Sequence, residues 1–486
     1  MFGITAYGAY IPSARLSRKA MSDANEWFDA SLRTLAKGER SVCNWDEDTI
    51  TMAVEAGQNC LSAVAKTSVN TLYLASTTFP FLDRQNSVVV SEALNLNNRV
   101  RAMDIGASQR AATSALMAIL EGGTNGSNDK QDETLLIASE HRRTKCGSRQ
   151  EMLWGDGAAA LSIGSDQVIA EYLGCETIAT DFVDHYRGEG ASFDYDWEER
   201  WIREQGYMKS VPAAVTALLE KTKVSASDIT HFILPCDQTR TPAAVAKKLG
   251  ISAEAVADNL INVCGVAGAA QPILLLVKAL EQAQPGTLIM VVGFGQGCDA
   301  LLFRATDAVA SRRPQAGVSG ALERRRPEEN YNKFLSFNNL VERDIGKRGE
   351  VDKQTYLTAL NRRKDLLTMF IGGKCRDCGT VQIPKDNYCV NPECGALKSQ
   401  DDYPFSNKRG KVKTWTADRL TFDWNPPAYF GMVEFEGGGR LMMDFTEVEE
   451  GKIESGVVVS VHFRIKQFDE RRGMRKYFWK AIPEHQ

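Results

Sequence analysis

Short apolar runs alternate with amphipathic helical patterns along the first 307 residues of this chain. Each run is rich in Leu, Ile or Val and is bounded by polar residues or glycine, which is typical of a buried strand. The clearest runs are TLYLAST (71–77), ETLLIASE (133–140), HFILP (231–235) and TLIMVVGF (287–294). Segments 46–66 and 213–223 between them have the spacing of amphipathic helices. Strands that alternate with helices predict an α/β fold in which helices cover the sheets.

The size and charge of the chain limit the classes of protein to which it can belong. Its 486 residues are enough for two or three domains. Its 62 acidic and 58 basic residues give a net charge of −4, whereas a nucleic-acid-binding protein generally has a basic face. The sequence has no signal-cleavage pattern and no uncharged apolar run of about 18 residues. We therefore expect a cytoplasmic protein that binds neither nucleic acid nor membranes.

A change in composition divides the chain. Residues 308–330 are rich in Arg, Ala, Gly and Pro and lack a core pattern, so they predict a linker. Residues 331–402 predict a helical lead-in followed by a cluster of cysteines. Residues 403–486 contain short strands broken by Gly and Pro, which is typical of a small β-barrel.

Four of the 11 cysteines have the spacing of metal ligands. Cys375 and Cys378 form one pair, Cys389 and Cys394 form another, and each pair lies in a tight turn that contains Gly or Pro. Four thiolates at this spacing predict a tetrahedral Zn²⁺ site that is closed and therefore structural. The alternative is a cluster that binds no metal or forms disulfides. The other seven cysteines are expected to be small buried side chains.

Residues 104–123 form a turn of small residues that leads directly into a helical pattern, and Ser108 is at the centre of this turn. A turn of this kind directs a side chain and several backbone N–H groups into a pocket. A short polar side chain at this position can act on a bound ligand or simply fill space. Ser108 is therefore a candidate catalytic residue.

The Ser108 turn resembles the nucleophile loop of the thiolase superfamily, closest to 3-hydroxy-3-methylglutaryl-CoA synthase and ketoacyl-ACP synthase III. The other similar segments are 46–57, 152–164, 234–251 and 265–303. The resemblance implies a thiolase-like layered fold with two βαβαβ-type halves, 1–165 and 166–307. It also implies a homodimer and a CoA thioester as substrate.

The C-terminal part resembles the zinc-ribbon/OB-fold module that accompanies thiolases. The resemblance covers about 331–482 and implies a zinc ribbon followed by an OB fold. In that family the module is a partner of a thiolase subunit, and in some cases it links enzymes that share a CoA intermediate. A partner enzyme of that kind is therefore an expectation here as well.

The catalytic groups of the thiolase-like family do not carry over. The family's cysteine falls on Ser108, its histidine falls on Pro235 or Cys236, and its asparagine falls on Val266. The acid of HMG-CoA synthases falls near Thr77. Since acyl transfer by this route needs an activated thiolate, the losses favour aldol or retro-aldol chemistry on a β-hydroxyacyl-CoA. That reaction needs a base for the hydroxyl group and donors for the thioester enolate.

Residues 180–207 concentrate acidic, aromatic and histidine side chains, and the resemblance implies that this region lines the acyl pocket. His185 beside Asp184 and Tyr195 beside acidic residues are candidate bases or proton donors. The full set of candidate catalytic residues is His185, Tyr195, Ser108, Cys236 and Asp237. The candidate substrate-binding residues are Gly106, Gly155, Gly157, Gly293 and Gly295.

Two other functions remain open from the sequence. One is a condensing acyltransferase that uses Ser108 or Cys236 as its nucleophile. The other is a non-catalytic subunit that binds CoA intermediates and acts as a scaffold for a partner. The first would form an acyl-enzyme, and the second would bind thioesters without turnover.

Overall fold

The computed structural model describes residues 1–124, 132–311, 317–351, 353–354 and 356–484. The chain forms two compact units. The first comprises Met1–Asn44, Asp48–Ser91 and Leu96–Val341, and the second comprises Trp45–Glu47, Glu92–Asn95 and Glu342–Gln486. Among the described residues, no helix is long and apolar enough to cross a membrane.

The first unit is built around a mixed sheet of nine strands. The strands of this unit, in chain order, are β1 (Gly3–Tyr10), β2 (Ala14–Ser17), β3 (Glu39–Ser41), β4 (Val69–Ala75), β5 (Arg101–Ile105), β6 (Glu133–Glu140), β7 (Gly157–Gly164), β8 (Ala170–Ala179), β9 (His185–Tyr186), β10 (Tyr195–Asp196), β11 (His231–Ile233), β12 (Leu288–Phe294), β13 (Gly297–Ala305) and β14 (Arg326–Glu328). The order in the large sheet is β11-β12-β13-β8-β1-β7-β6-β4-β5. Strand β4 pairs in parallel with β5 and β6, and β11 pairs in parallel with β12. The other neighbours in this sheet are antiparallel.

The large sheet contains the same strand order twice. In the half β5-β4-β6-β7-β1, the last two strands in the chain, β6 and β7, lie between β1 and the pair β4-β5. The half β11-β12-β13-β8 repeats this order with one outer strand fewer. The chain passes from one half to the other between β7 and β8. The two-half α/β architecture is therefore confirmed.

The first unit also contains helices, several of which pack against this sheet. They are α1 (Arg18–Asn25), α2 (Thr49–Leu61), α3 (Asn86–Ala93), α4 (Ala111–Thr124), α5 (Arg149–Leu153), α6 (Glu199–Trp201), α7 (Met208–Thr222), α8 (Thr241–Leu249), α9 (Gln271–Gln282), α10 (Val318–Glu323) and α11 (Tyr331–Phe337). A π-helical turn, Ile202–Tyr207, joins α6 to α7. Helices α4 and α9 contribute Leu116, Leu120, Ile273 and Leu276 to the main apolar core, where all four are fully buried. These two helices thus occupy the interior of the unit, and each begins near the ends of the strands.

Helix α2 shows how local sequence fixes an element within the predicted segment 46–66. The carboxylate of Asp48 accepts hydrogen bonds from the backbone N–H groups of Ile50 and Thr51, each at 2.9 Å. The hydroxyl of Thr51 in turn accepts from the backbone N–H of Asp48 at 2.7 Å. This capping box satisfies N–H groups that a helix start leaves unpaired, and it places the first helical residue at Thr49.

The described part of the predicted linker 308–330 is not a linker. Helix α10 buries Val318 and Ala321 in the main core of the first unit. Strand β14 pairs in parallel with β2, so that Pro327 lies opposite Arg15. The composition is misleading because only two side chains of this short helix are fully buried in the core. The first unit therefore ends at Val341, and α11, from the predicted C-terminal lead-in, belongs to it.

The second unit is rich in strands. Its helices are α12 (Leu357–Arg362) and α13 (Lys364–Leu367), and its strands are β15 (Ile371–Cys375), β16 (Val381–Gln382), β17 (Gln400–Pro404), β18 (Gly410–Asp418), β19 (Ala428–Phe435), β20 (Arg440–Asp444), β21 (Val458–Asp469) and β22 (Met474–Pro483). Strands β16-β15-β17 form one antiparallel sheet and β20-β19-β18-β21-β22 form another. A parallel bridge joins Phe445, directly after β20, to Ala481 of β22. The five-stranded sheet is therefore curled so that its two edges meet.

Fully buried aromatic side chains fill the second unit. The ring of Phe370 stacks on that of Trp479, with centroids 5.7 Å apart, and Phe405 contacts Phe370 edge-on at 6.0 Å. The short segment Trp45–Glu47 also belongs to this unit, because Asp46 forms a buried ion pair with Lys480 at 2.8 Å.

Candidate active site

Ser108 lies in the turn between β5 and α4, where Ala107 adopts a positive φ of 68°. Its hydroxyl donates to the backbone carbonyl of Gly295 at 3.2 Å and accepts from the backbone N–H of Arg110 at 3.3 Å. Among the described residues, no basic side chain is hydrogen-bonded to this hydroxyl. Serine needs a base within reach to act as a nucleophile, and the partners of Ser108 are backbone groups.

Gln109, which the sequence analysis did not single out, is the polar side chain that connects this turn to the end of β4. Its amide nitrogen donates to the Thr77 hydroxyl at 3.3 Å. Its amide oxygen is buried and has no hydrogen-bond partner among the described residues. A Cβ atom at Gly268, where φ is +46°, would lie only 2.8 Å from that oxygen. Glycine at 268 thus leaves room for the Gln109 amide.

A second residue that sequence reasoning missed is Glu140, at the end of β6. Its carboxylate is fully buried and accepts from the Ser76 hydroxyl at 2.7 Å, the Thr77 N–H at 2.5 Å and the Thr77 hydroxyl at 2.8 Å. The hydroxyl of Thr78 is 3.2 Å away. The segment around Thr77 has no acid of its own, but Glu140 from the neighbouring strand brings a carboxylate there. The signal was available, because residues that follow two adjacent parallel strands meet at one edge of the sheet.

His185 and Asp184 form a hydrogen-bonded pair beside the β9–β10 hairpin. Nδ1 of His185 lies 2.8 Å from Oδ2 of Asp184, and the carboxylate is largely buried. The imidazole is 17% exposed, so it is within reach of a ligand. A carboxylate on Nδ1 favours the tautomer that carries its proton there, which leaves Nε2 as the basic atom.

The loop that follows β11 lies against the same pair. The Tyr207 hydroxyl donates to the backbone carbonyl of Pro235 at 3.3 Å. Burial raises the pKa of Tyr207, and the negative charges of Asp237 and Asp184 raise it further. Such coupling requires these groups to be close to one another. The structure therefore brings the loop of Cys236 and Asp237 near Asp184, the partner of His185.

Cys236 is poorly suited to nucleophilic attack. Its side chain is buried, and burial raises the pKa of the thiol to about 12. Its sulfur accepts a hydrogen bond from the backbone N–H of Gln238 at 3.4 Å. The reactive form of cysteine is the thiolate, so a neutral buried thiol is inert.

Ion pairs connect the hairpin to the Thr77 turn. Asp194 pairs with Arg142 at 2.6 Å and with Arg187 at 2.7 Å. Burial alone would raise the pKa of Asp194, but the charges of Arg142 and Arg187 outweigh it, and the pKa is lowered. The guanidinium of Arg187 also donates to the backbone carbonyl of Thr77. The Ser108 turn and the His185 hairpin are thereby linked through Gln109, Thr77 and Arg187 into one polar site.

Tyr195 is not directed into this cluster. Its side chain is 59% exposed, and its ring packs against that of Tyr186 with centroids 5.4 Å apart. Asp196, the residue after it, is the inward-facing group and accepts from the Gln150 amide at 2.7 Å. Burial raises the pKa of Asp196. Of the side chains predicted in residues 180–207, His185 is therefore the one in the cluster, and Tyr195 lies at its surface.

The five predicted substrate-binding glycines divide into two groups. A Cβ at Gly155 would overlap the Cys264 carbonyl, and one at Gly293 would overlap the Thr113 hydroxyl. A Cβ at Gly157 would come within 3.2 Å of Leu274. Close packing thus accounts for these three glycines without a ligand.

Gly106 and Gly295 do border the Ser108 turn. A Cβ at Gly106 would lie 3.0 Å from the Ser76 carbonyl, and one at Gly295 would lie 3.1 Å from the Ser108 hydroxyl. Gly295 also has a φ of +156°, a conformation that side chains rarely adopt. These two glycines therefore remain next to the candidate site.

The four clustered cysteines converge in the second unit. All four sulfurs lie within 4.8 Å of one another, with Cys375 and Cys394 at 3.9 Å and Cys378 and Cys389 at 3.5 Å. Sulfurs bound to one tetrahedral Zn²⁺ at about 2.3 Å are about 3.8 Å apart. The residues therefore fit a closed four-thiolate zinc site.

Family profiles match two parts of the chain. Residues 219–304 match the C-terminal domain of 3-oxoacyl-[acyl-carrier-protein] synthase III, and residues 370–398 match the ChsH2 rubredoxin-like zinc ribbon domain. The fold and these matches define a thiolase-like protein that carries a zinc ribbon.

Individual relatives narrow this class. The hydroxymethylglutaryl-CoA synthase of Aeropyrum pernix is 30% identical over 338 residues, which cover 68% of this chain and 92% of that protein. The enzyme of the same name from Methanothermobacter thermautotrophicus is 30% identical over 324 residues, which cover 65% and 92%. The chain belongs to the hydroxymethylglutaryl-CoA synthase family. A crystal structure of an HMG-CoA synthase complexed with CoA shares the fold, with a TM-score of 0.58 and 17% identity over 73% of this chain and 94% of that one.

Proposed function

We propose that this protein makes or breaks the Cα–Cβ bond of a β-hydroxyacyl-CoA by aldol or retro-aldol chemistry. Membership of the hydroxymethylglutaryl-CoA synthase family supports a CoA thioester as substrate, as does a structural neighbour complexed with CoA. The observation that carries the proposal is the His185–Asp184 pair at 2.8 Å, which supplies a base on the hairpin whose Arg187 donates to the Thr77 carbonyl. His185 is the proposed catalytic base and Asp184 positions it.

In the cleavage direction, Nε2 of His185 takes the proton of the β-hydroxyl group. The Cα–Cβ bond breaks, a carbonyl forms at Cβ, and the bonding electron pair passes to the thioester as an enolate. A proton returned to Cα gives the shorter acyl-CoA. Backbone N–H groups at the start of α4 are the proposed donors to the enolate oxygen, because a helix start presents unpaired N–H groups and a favourable dipole. No acyl-enzyme forms at any step.

Two observations argue against the acyltransferase alternative. The Ser108 hydroxyl is bonded to backbone groups rather than to a base. The pKa of Cys236 is raised to about 12 by burial, which keeps its thiol neutral. Acyl transfer through either residue would need a base or a thiolate.

The C-terminal unit is proposed to be a structural module. Its four cysteines would hold Zn²⁺ without a position for water, so the metal would stabilise the ribbon and take no part in the reaction. The curled five-stranded sheet is consistent with the partly open barrel of an OB fold. The proposed homodimer would form at β5, which is an edge strand of the large sheet.

The test is incubation of the full-length protein with β-hydroxyacyl-CoA and β-ketoacyl-CoA thioesters, followed by mass spectrometry of all products and of the intact protein. A released ketone or aldehyde together with a shorter acyl-CoA supports the proposal. Consumption of free CoA, or an acyl adduct on Ser108 or Cys236, would replace it with an acyltransferase. Thioester binding without turnover would indicate a scaffold.

A further inference from the structure

Three potential metal ligands meet in the first unit, in addition to the four cysteines of the second unit. Cys43 lies just beyond the end of β3, His141 directly follows β6, and Asp156 directly precedes β7. One ligand atom from each residue lies within 4.8 Å of the other two. None of the three is used in the proposed reaction.

The geometry of the histidine and the aspartate is unlike that of a simple hydrogen bond. Nδ1 of His141 is 3.2 Å from Oδ1 of Asp156. Both atoms are buried, and neither has a partner with hydrogen-bond geometry among the described residues. Nitrogen and oxygen atoms bound to the same tetrahedral Zn²⁺, at about 2.0–2.1 Å, lie about 3.3 Å apart. The observed separation is that of an ion pair and also fits two ligands of one metal ion.

Neighbouring groups hold the ligands in place. The second carboxylate oxygen of Asp156 accepts from the backbone N–H of Cys43 at 2.8 Å. The backbone N–H of Asp156 donates to the Ser41 hydroxyl at 2.9 Å, and that of His141 donates to the Thr78 hydroxyl at 3.0 Å. Such supporting bonds orient the ligands of known metal sites before the metal arrives.

We propose that Cys43, His141 and Asp156 bind one Zn²⁺ ion. Thiolate, imidazole and carboxylate together form a ligand set that binds zinc in preference to hard cations such as Mg²⁺ or Ca²⁺. Three protein ligands leave a fourth position for water, and the imidazole is 20% exposed to solvent. The ion would join the ends of three strands in the first unit.

The charges around the site set a condition on binding. The charge of Arg40 acts on Asp156, Glu151 and Cys43, so it opposes a cation at this position. The Asp156 carboxylate supplies one negative charge at this position. A second anion is needed to balance a divalent ion near Arg40. Zinc must therefore displace the proton of Cys43, and its affinity should fall as the pH is lowered.

The first test is the zinc content of the full-length protein after gel filtration with a weak chelator, measured by elemental mass spectrometry. The wild-type protein should hold two equivalents, one for each of the two ligand groups. The double variant Cys375→Ser/Cys378→Ser should lose the ribbon ion and keep one equivalent. One equivalent in the wild type and none in the double variant would overturn the proposal.

Variants then assign the second ion to its ligands. His141→Ala should lose one equivalent, whereas the matched control His231→Ala, a half-buried histidine on β11, should keep both. In the Cys375→Ser/Cys378→Ser background, Co²⁺ should give a thiolate-to-cobalt absorption band that disappears with Cys43→Ala. Retention of both equivalents by a folded His141→Ala protein, or a band that survives Cys43→Ala, would contradict the assignment. If His141→Ala does not fold, the zinc content of the wild type and of the double variant decides whether a second zinc site exists.

Discussion

The two loops that meet at the candidate site use their polar groups in opposite ways. Around the Ser108 turn, every reactive-looking group is already engaged: the Ser108 hydroxyl is bonded to backbone atoms, and the Glu140 carboxylate accepts from three neighbouring hydroxyl-bearing residues. On the hairpin side, the imidazole of His185 is oriented by Asp184 but keeps a basic nitrogen. The polar groups of the Ser108 turn therefore stabilise its conformation, whereas the hairpin provides a group that can accept a proton.

This difference shows that a fold can keep its site while the reactive group changes position. A carboxylate that is saturated by donors, as Glu140 is, stabilises the turn around it but has little capacity to accept a proton from a substrate. An imidazole paired with a carboxylate has that capacity. The comparison therefore assigns positioning to the Ser108 turn and proton transfer to the hairpin, and the following predictions can break or sharpen this assignment.

The largest expected effect is that of His185→Ala on carbon–carbon cleavage or condensation. Loss of a general base costs typically about 10²- to 10⁴-fold in rate, so we expect a loss in this range with little change in substrate affinity. Steady-state kinetics with the active thioester measures it. His231→Ala is the control and should retain its rate. A loss of less than about threefold in His185→Ala would show that His185 is not the catalytic base.

Asp194→Asn should have a large effect on stability. It leaves Arg142 and Arg187 without their anion, and removing one partner of a buried pair costs about 3–5 kcal/mol. The lowered pKa of Asp194 in the folded protein means that its contribution is present above its unfolded pKa of about 3.9 and is lost as the pH falls further. Urea unfolding of both proteins at pH 7 and pH 3 measures this difference. A difference that is as large at pH 3 as at pH 7 would contradict the ion-pair account.

Ser108→Ala should have a smaller effect. It removes one hydroxyl that is bonded to the Gly295 carbonyl, and a hydrogen bond of this kind contributes about 0.5–1.5 kcal/mol. We expect the rate to fall by less than about 10-fold. A loss beyond about 100-fold, roughly 2.7 kcal/mol of barrier, would return Ser108 to the role of nucleophile.

The smallest effect concerns Cys236. Because burial raises the pKa of its thiol to about 12, iodoacetamide should leave Cys236 unmodified in the native protein at pH 8. The exposed Cys146 should be labelled under the same conditions. Peptide mapping of the labelled protein measures this, and the unfolded protein, in which both thiols react, is the control. Rapid native labelling of Cys236 would revive the acyltransferase hypothesis.

Some features could be read directly from the sequence because they depend on local chemistry. The alternating apolar runs predict the strands of the large sheet, since burial on both faces requires continuous Leu, Ile and Val. The spacing of Cys375, Cys378, Cys389 and Cys394 predicts the ribbon, since short turns fix where the sulfurs point. The prediction of a linker at 308–330 was wrong because a short helix with two fully buried positions gives no periodic signal.

The composition of the site, in contrast, depended on the tertiary structure. The sequence by itself determined the α/β fold, the ribbon cysteines and the absence of cysteine at the Ser108 turn. Only the folded chain placed Glu140 beneath Thr77, directed Gln109 toward them, brought the loop of Cys236 near Asp184, and gathered Cys43 with His141 and Asp156. These groups come from segments that are remote in sequence, and they meet because the ends of paired strands converge at one edge of a sheet, which no local pattern records.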